Sequence, residues 1–200
     1  MAPNTFLVSD PKFATVLSRL RDRSLRPSAV RSTVAELTRV LAKDAVASPP
    51  KPGEKVAIVV IMRSGLAMME PFIEALPEDT DMVIYHLGLF RERETLQPIE
   101  YYNKFAKKTP NITHAYVLDP LVATGGTAGA AINILKDWGI DQITFSCLIA
   151  SQSGLEAASR VWSEGTRFVV GAVDAELDSK GYVKPGVGDI GDRLFGTALA

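Results

Sequence analysis

The sequence predicts an α/β fold in which a parallel sheet carries helices on both faces. Two observations support this prediction: apolar, β-branched runs alternate with segments of helical spacing, and one run leads through a glycine turn straight into a helix. Such apolar runs are typical of strands buried on both faces. Alternating strands and helices form parallel sheets with the helices packed on either side. A chain of 200 residues is expected to form a single domain.

Two amphipathic helices are predicted before the sheet. Apolar residues recur at helical spacing after Pro11 and again after Pro27, and proline is favoured at the first position of a helix. The arginines of both helices are expected to form a solvated face. The tract SPPKPGE, residues 48–54, then interrupts the chain with three prolines and one glycine. Residues 1–54 are therefore interpreted as N-terminal helices followed by a proline-rich connection.

The α/β core is predicted to span residues 55–175, and a tail to span residues 176–200. The predicted strands are residues 55–62, 82–90, 114–118, 142–150 and 167–173. The predicted helices between them are RSGLAMMEPFIEAL (residues 63–76) and residues 127–138 and 152–162. Ligands of parallel sheets bind beyond the carboxyl ends of the strands. The residues predicted at those ends are Arg63 and Ser64, Arg91 to Thr95, Asp119 to Thr127, and Ser151.

The turn DPLVATGGT, between the third predicted strand and a helix, has the properties of an anion site. Gly125 and Gly126 leave the amides of the turn open to a ligand. Thr127 is predicted to cap the helix, whose first amides carry the positive end of the helix dipole. The hydroxyls of Thr124 and Thr127 add donors for a phosphate monoester. Asp119 suits the hydroxyls of a ribose whose 5-phosphate lies in the turn.

Two other phosphate motifs do not fit this turn. The P-loop requires Lys and then Ser or Thr after its last glycine, whereas Gly126 is followed by Thr127 and Ala128. The dinucleotide fingerprint G-x-G-x-x-G differs from GGTAG in the spacing of its glycines. A helix cap that binds no ligand is the alternative that stays open at this point.

Two segments depart from the regular alternation of strands and helices. Residues 91–111 are charged, contain proline and are long for a connection in a compact domain. We expect them to close over bound substrate as a flap, although their length fits a solvated excursion equally well. Residues 181–197 contain five glycines around Asp189, Asp192 and Arg193, a density that costs conformational entropy on folding. Apolar residues within this segment favour an ordered tail over a frayed terminus.

Composition favours a small-molecule partner. The chain is 46% apolar and 22% charged with a net charge of −1, so its charge does not attract nucleic acid or an anionic membrane.

Cys147, the single cysteine, lies in an apolar run, so we expect a buried thiol and a reducing compartment. His86 and His114 have no partner at metal-ligand spacing, so no zinc site is expected. The sequence lacks a signal-peptide pattern and an apolar run of membrane length, so we expect a cytoplasmic protein.

Several motifs together resemble one family. DPLVATGGT is similar to the phosphoribosyl pyrophosphate (PRPP) motif of uracil phosphoribosyltransferases, and GYVKPGVGDIGDRLFGT resembles their uracil-binding tail. IMRSGLAMM and HLGLFRERETLQP resemble the pyrophosphate loop and the second arginine segment of that family. The resemblance runs from about Val56 to the carboxyl end and is weaker over the two leading helices. Asp119 followed by Pro120, in place of two acidic residues, resembles the uracil enzymes specifically.

The resemblance implies the type I phosphoribosyltransferase fold with a C-terminal uracil-binding hood. It also implies transfer of the ribosyl 5-phosphate group from PRPP to N1 of uracil, giving UMP and diphosphate in UMP salvage. Mg²⁺ would be bound mainly through PRPP, without a protein cage of carboxylates. The partners implied are PRPP, uracil, further copies of the chain in a dimer or tetramer, and GTP as an effector, as in some relatives. The alternatives are a non-catalytic or regulatory nucleotide-binding relative and a phosphoribosyltransferase for another base.

The same resemblance implies roles for individual residues. Arg63 and Arg91 would bind the pyrophosphate and act in catalysis together with Asp189, which would face the ribosyl donor and its magnesium. The contacts to the ribose and the 5-phosphate are implied for Asp119, Pro120, Leu121, Val122, Ala123, Thr124, Gly125, Gly126 and Thr127. The contacts to uracil, made largely by backbone groups, are implied for Val183, Gly188, Asp189 and Ile190.

The sequence departs from the family pattern at three places. Relatives often carry a β-arm that helps to form the dimer before the first core strand, and only residues 48–54 fill that position here. Phe90 replaces a usual tyrosine before Arg91, which removes a hydroxyl. Lys184 stands where an apolar residue is common, and its side chain is expected to point to solvent.

Overall fold

A mostly parallel sheet of eight strands runs through the centre of the computed structural model, which describes residues 2–47, 50, 53–92 and 97–197. Its strands are β1 (Thr5–Leu7), β2 (Lys55–Met62), β3 (Met82–Arg91), β4 (Pro98–Asn103), β5 (Ile112–Leu118), β6 (Leu121–Val122), β7 (Gln142–Ser151) and β8 (Thr166–Asp174). A separate hairpin consists of β9 (Glu176–Leu177) and β10 (Val183–Lys184). The helices are α1 (Pro11–Leu20), α2 (Pro27–Ala45), α3 (Leu66–Ile73), α4 (Gly126–Trp138), α5 (Gln152–Ser159) and α6 (Ile190–Phe195). The predicted α/β class is confirmed.

The order of the strands creates a switch point in the centre of the sheet. The order is β1–β8–β7–β5–β2–β3–β4, with β6 beside β7, and only β3 and β4 are antiparallel neighbours. From β2 the chain passes to β3 on one side and then crosses to β5 on the other, where Ile58 pairs with Tyr116. In sheets of this kind the crevice for a ligand opens at the carboxyl ends of the strands where the order reverses. The carboxyl ends of β2 and β5 are therefore the expected position of the site.

Two apolar layers cover the sheet, as the sequence predicts. Helices α1, α2 and α3 pack on one face, with side chains such as Leu37 and Phe72 fully buried. Helices α4 and α5 pack on the other face, with Ile132 and Leu135 fully buried. Burying one such side chain contributes about 1.5–3 kcal/mol, so these two layers fix the loops at the carboxyl edge of the sheet.

Both N-terminal helices are confirmed, but they are more closely integrated into the domain than expected. β1 extends the sheet by pairing in parallel with β8, with Thr5 opposite Phe168. The arginines of the two helices are exposed as predicted, except that Arg21, at the end of α1, is partly buried. Arg31 donates to the carbonyl of Leu194 in α6, 2.7 Å away, and Arg21 binds the tail as described below. Carbonyl groups of the buried tail residues Gly186 and Leu194 provide these arginines with partners that the sequence pattern does not reveal.

Residues 91–111 include β4, which the sequence analysis did not predict. β4 pairs antiparallel with β3, with Ile99 opposite Phe90, and most of its residues are exposed. Residues 93–96 lie outside the described residues. The expected closure of this segment over substrate therefore stays a prediction.

The tail is ordered over its described part, as predicted. Leu194 is fully buried against the layer formed by α1 and α2. Cys147 on β7 is also fully buried, and burial raises the pKa of its thiol well above the usual range. Across the described ranges, no helix has both the length and the apolar character that crossing a membrane requires.

Candidate active site

A cavity of about 520 Å³ opens at the carboxyl ends of β2 and β5, where the switch point predicts a ligand. Its wall is formed by the carboxyl end of β2, the antiparallel strand pair β3 and β4, the turn before α4 and the tail. The predicted site residues on this wall are Arg63, Asp119, Leu121, Ala123, Thr127, Gly188, Asp189 and Ile190. The fold therefore brings together the turn and the tail, which are about seventy residues apart in the chain.

The glycine turn forms a second, smaller cavity of about 110 Å³ beside the first. Its wall consists of Leu121, Val122, Ala123, Thr124, Gly125, Thr127 and Ala128. The prediction of Thr127 as helix cap is wrong, because α4 begins at Gly126 and Gly125 is the cap. Gly125 has a φ of 84°, in the left-handed region that glycine enters without strain, so the chain turns into the helix earlier than predicted. The first amides of α4 have no acceptor within the helix, and that of Gly126 donates to Oγ1 of Thr124 at 3.4 Å.

The turn is held in place from the side of α5. The hydroxyl of Ser151 donates to the carbonyl of Ala123 at 2.5 Å and accepts from the amide of Gly154 at 2.9 Å. A Cβ at Gly154 would lie 1.9 Å from the same carbonyl, so only glycine permits this approach. Ser151 therefore supports the turn. Pro120 is hydrogen-bonded to the neighbouring strand β7, since its carbonyl accepts from the amides of Leu148 and Ile149 at 3.1 Å each.

Asp119 lies deep in the cavity wall, directly after β5. Its side chain is nearly inaccessible to solvent, and burial raises the pKa of this carboxyl to about 7. Hydrogen bonds from the amide of Leu121 (3.4 Å) and the hydroxyl of Ser64 oppose the effect of burial only partly. A buried carboxylate with few donors is destabilised until a ligand supplies more of them. The hydroxyls of a bound sugar would be such donors.

Arg63, directly after β2, connects the cavity to the tail. Its Nη2 donates to Oδ1 of Asp192 at 3.0 Å, and its Nη1 donates to the hydroxyl of Thr197 at 3.1 Å. The side chain is half exposed and lies 5.9 Å from the ring centroid of Phe195. A guanidinium carries five N–H donors, so these two contacts leave donors for an anion in the cavity.

Arg91 ends β3 at the same edge of the sheet, where its backbone pairs with Pro98. Its side chain is outside the described part of the structure, so the predicted contact of Arg91 with pyrophosphate stays a prediction.

The tail presents backbone and one carboxylate to the cavity. Gly188, Asp189 and Ile190 lie on its wall, whereas Val183 is buried in the core and is not part of that wall. Asp189 caps α6, because its side chain accepts from the amide of Asp192 at 3.0 Å. The hydroxyl of Tyr182 is 3.5 Å from the other carboxylate oxygen of Asp189. The expectation for Lys184 is confirmed, since its side chain is exposed.

Three residues that contribute to this site could not be given a role from the sequence. Tyr101 on β4 lines the cavity, and its ring centroid is 5.9 Å from that of Phe90. Tyr182 also lines the cavity, and Asp192 holds Arg63. The glycine-rich tail motif indicated the region of Tyr182 and Asp192, but Tyr101 could be placed only with knowledge of the β3–β4 pairing.

The fold defines the structural class of the chain. Solved phosphoribosyltransferases share this mostly parallel sheet: the adenine phosphoribosyl transferase from Trypanosoma brucei superposes with a TM-score of 0.55 at 12% identity, covering 90% of this chain and 88% of that one. A family model described as uracil phosphoribosyltransferase matches residues 50–197. The chain belongs to the uracil phosphoribosyltransferase family.

Individual relatives agree with this family. The Schizosaccharomyces pombe protein urg2, provisionally named a uracil phosphoribosyltransferase, is 49% identical over 193 residues, which are 96% of this chain and 90% of the relative. The uracil phosphoribosyltransferase of Roseiflexus castenholzii is 36% identical, over 96% of this chain and 98% of that enzyme. Among solved structures, the AQ2163 protein from Aquifex aeolicus superposes with a TM-score of 0.88 at 26% identity, covering 98% of this chain and 100% of that one.

Proposed function

We propose that this chain transfers the ribosyl 5-phosphate group of PRPP to N1 of uracil, giving UMP and diphosphate, and thereby salvages uracil. The observation that carries this proposal is that one cavity wall brings together Arg63, Asp119, Thr127 of the glycine turn and the tail residues Gly188, Asp189 and Ile190. Relatives named uracil phosphoribosyltransferase, matched over nearly the whole chain, support the same conclusion. The protein would then be a transferase that acts on two small molecules.

The donor would lie along the turn and the end of β2. The 5-phosphate would fill the smaller cavity, where the amides at the start of α4 and the hydroxyls of Thr124 and Thr127 can donate to its oxygens. The ribose hydroxyls would donate to Asp119. The diphosphate would contact Arg63, whose donors are charged and therefore form strong hydrogen bonds with phosphate oxygens. Arg91 would make a second contact of this kind.

The base would lie against the tail. Uracil presents two carbonyl acceptors and the N3 donor on one edge, whereas cytosine has an amino donor in place of O4. Backbone groups of Gly188 and Ile190 cannot rotate independently as side chains do, so a fixed N–H aimed at O4 would face a donor in cytosine. This mismatch would leave polar groups unpaired and would reject cytosine. Val183 would take part only through its backbone, since its side chain is buried.

The chemistry needs positioning more than a nucleophile from the protein. The bond between C1 of the ribose and the diphosphate oxygen would break with its electron pair leaving on the diphosphate. N1 of uracil would form the new bond to C1, and its proton would pass to the departing diphosphate or to water. Arg63 and Arg91 would stabilise the charge that develops on the leaving diphosphate. Holding N1 close to C1 removes the entropy cost of bringing two molecules together. Asp189, on the wall between the base and the donor, would stabilise the positive charge that develops on the ribose.

Magnesium fits this site as a partner of the substrate. Among the described residues, no group of three or more His, Cys, Asp or Glu side chains is arranged to hold a metal ion. Mg²⁺ prefers oxygen ligands and keeps several waters, so diphosphate and ribose oxygens would be its main ligands, with Asp189 facing it. Bound there, the ion would neutralise charge on the leaving diphosphate. We further propose a cytoplasmic homodimer or homotetramer and include GTP as an effector to be tested.

The test is UMP formation from uracil, PRPP and Mg²⁺, with cytosine, orotate, hypoxanthine and no base run in parallel. Product with uracil alone supports the activity and its specificity together. Product with another base would retain the donor site but refute the assignment of the tail. Binding of PRPP without any product would favour a regulatory relative. Arg63→Gln should lose most of the activity, and Arg39→Gln, which removes an exposed ion pair with Glu74, is the matched control.

A further inference from the structure

A buried ion pair outside the cavity holds the loop that carries the tail residues of the site. Asp174 ends β8 and is almost completely buried. Its Oδ2 accepts from the amide of Gly186 at 2.9 Å and from Nη1 of Arg21 at 2.9 Å, and its Oδ1 accepts from Nη2 of Arg21 at 2.7 Å. Nη1 of Arg21 also donates to the carbonyl of Gly186 at 3.0 Å. The ion pair thus binds both polar backbone groups of a single glycine.

Gly186 lies at the centre of the tight turn between β10 and the cavity wall. Its φ is 49°, and a Cβ at this position would lie 2.0 Å from the carbonyl of Val183. Gly188, two residues further on, is already on the cavity wall. Because so few bonds separate them, a rotation of the backbone at Gly186 would displace the polar groups of Gly188.

A second arginine ties the same loop to the end of α1 from the opposite direction. Arg193 of α6 donates to the carbonyls of Val187 and Leu20 at 2.8 Å each, and to that of Asp22 at 2.6 Å. Arg21 lies in the same stretch of chain, directly after α1. Arg21 thus bonds from the end of α1 to the loop, and Arg193 bonds from α6 to both, so the end of the helix supports the loop.

We propose that Arg21 and Asp174 are positioning residues for base recognition. Neither residue lies on the cavity wall, so both act through Gly186. A backbone reader depends on the direction of its N–H and C=O groups, because hydrogen bonds weaken steeply when their angles are lost. The ion pair fixes that direction, since charged hydrogen bonds are stronger than neutral ones. This inference rests on the proposed function, in which the tail reads uracil.

The experiment compares Arg21→Met, Arg21→Lys and Asp174→Asn with the wild type and with Arg39→Met, which removes an exposed ion pair between α2 and Glu74. Initial rates are measured with uracil and PRPP varied separately. Arg21→Met and Asp174→Asn should raise KM for uracil roughly tenfold or more, while KM for PRPP changes less than about twofold. Arg21→Lys, which keeps the charge but has one nitrogen in place of the two that bind Asp174, should recover part of the loss. Arg39→Met should match the wild type.

A purely structural role would give a different pattern. A structural role would lower the fraction of active protein or change the KM values for uracil and PRPP together. Either result would overturn the proposal, and so would an unchanged KM for uracil. Thermal unfolding identifies variants that fail to fold. If Arg21→Met is one of them, the KM values of Arg21→Lys are compared with those of the wild type instead.

A failure of the proposed function can be recognised separately, because it would show as absent or different activity of the wild-type protein with uracil. If the wild type uses another base, that base replaces uracil in the same measurement. If it uses none, calorimetric binding of uracil in the presence of PRPP compares the same variants, and equal affinities would overturn the proposal.

Discussion

Replacing Asp119 by asparagine should make the folded protein more stable at alkaline pH while impairing its activity. The carboxyl is buried at the carboxyl end of β5, and burial raises its pKa from an ordinary value of 3.8 to about 7. The folded state therefore holds a proton that the unfolded chain has already lost. Stability from this group is complete below pH about 4, falls as the pH rises, and is fully lost once the pH exceeds about 7.

The size of the effect follows from the shift in the pKa. Each pKa unit corresponds to about 1.4 kcal/mol, so a shift of roughly three units costs about 4 kcal/mol at pH 8 and less than half of that at pH 5. Asparagine has nearly the same shape, can accept the hydrogen bond from Leu121 and carries no charge. Relative to the wild type, Asp119→Asn should therefore gain about 2–3 kcal/mol of unfolding free energy between pH 5 and pH 8.

The assay is urea unfolding at pH 5 and pH 8 without substrates. Asp137→Asn, which removes an exposed carboxylate on α4, is the control for a general change in net charge. A stability difference between Asp119→Asn and the wild type that is the same at both pH values would contradict the raised pKa of Asp119. The variant should also lose roughly a hundredfold in kcat/KM for PRPP, because two charged hydrogen bonds to the ribose would be lost.

Three further predictions concern the turn, the tail and the β3–β4 arm. Gly125→Ala should cost more than about 1 kcal/mol of stability and at least roughly tenfold in kcat/KM, because its Cβ would lie 2.4 Å from the carbonyl of Gly154. Gly139→Ala has a similar positive φ, and its Cβ would meet only the Cε of Lys108 at an ordinary contact distance of 3.5 Å, so it should cost only the backbone strain. Equal losses of activity in both variants would contradict this account. Asp189→Asn should fold normally, since asparagine caps helices as well as aspartate does, but should lose turnover; an unchanged kcat/KM would remove Asp189 from the mechanism. Residues 91–111 should become more resistant to protease when PRPP is bound, and equal cleavage with and without PRPP would argue against closure.

The central sheet could be predicted from the sequence because its strands are buried on both faces. Runs such as KVAIVVIM contain almost no polar residues, and prolines mark the starts of α1 and α2. β1 and β4 gave no comparable signal. β1 has three residues, and β4 is exposed along most of its length, so neither shows a strong apolar pattern.

The site could be predicted where a motif is local and not where its contacts are distant in sequence. The glycine turn and the tail motif identified most of the cavity wall. The contact of Arg63 with Asp192 spans 129 residues, and that of Arg21 with Asp174 spans 153, so no spacing rule connects either pair. The cap of α4 was misassigned for a different reason: threonine is a good cap in general, but a left-handed glycine precedes it here.

The burial of Cys147 also makes the protein convenient to label. Alkylating reagents react with the thiolate, and a thiol that is both inaccessible and difficult to ionise should resist maleimide dyes in the native state. Because the chain has no other cysteine, a Lys184→Cys variant would carry a single reactive thiol, placed on the exposed side of β10 next to the loop that we propose contacts the base. A fluorophore at this position would follow the arrival of the base in real time without interference from the rest of the molecule.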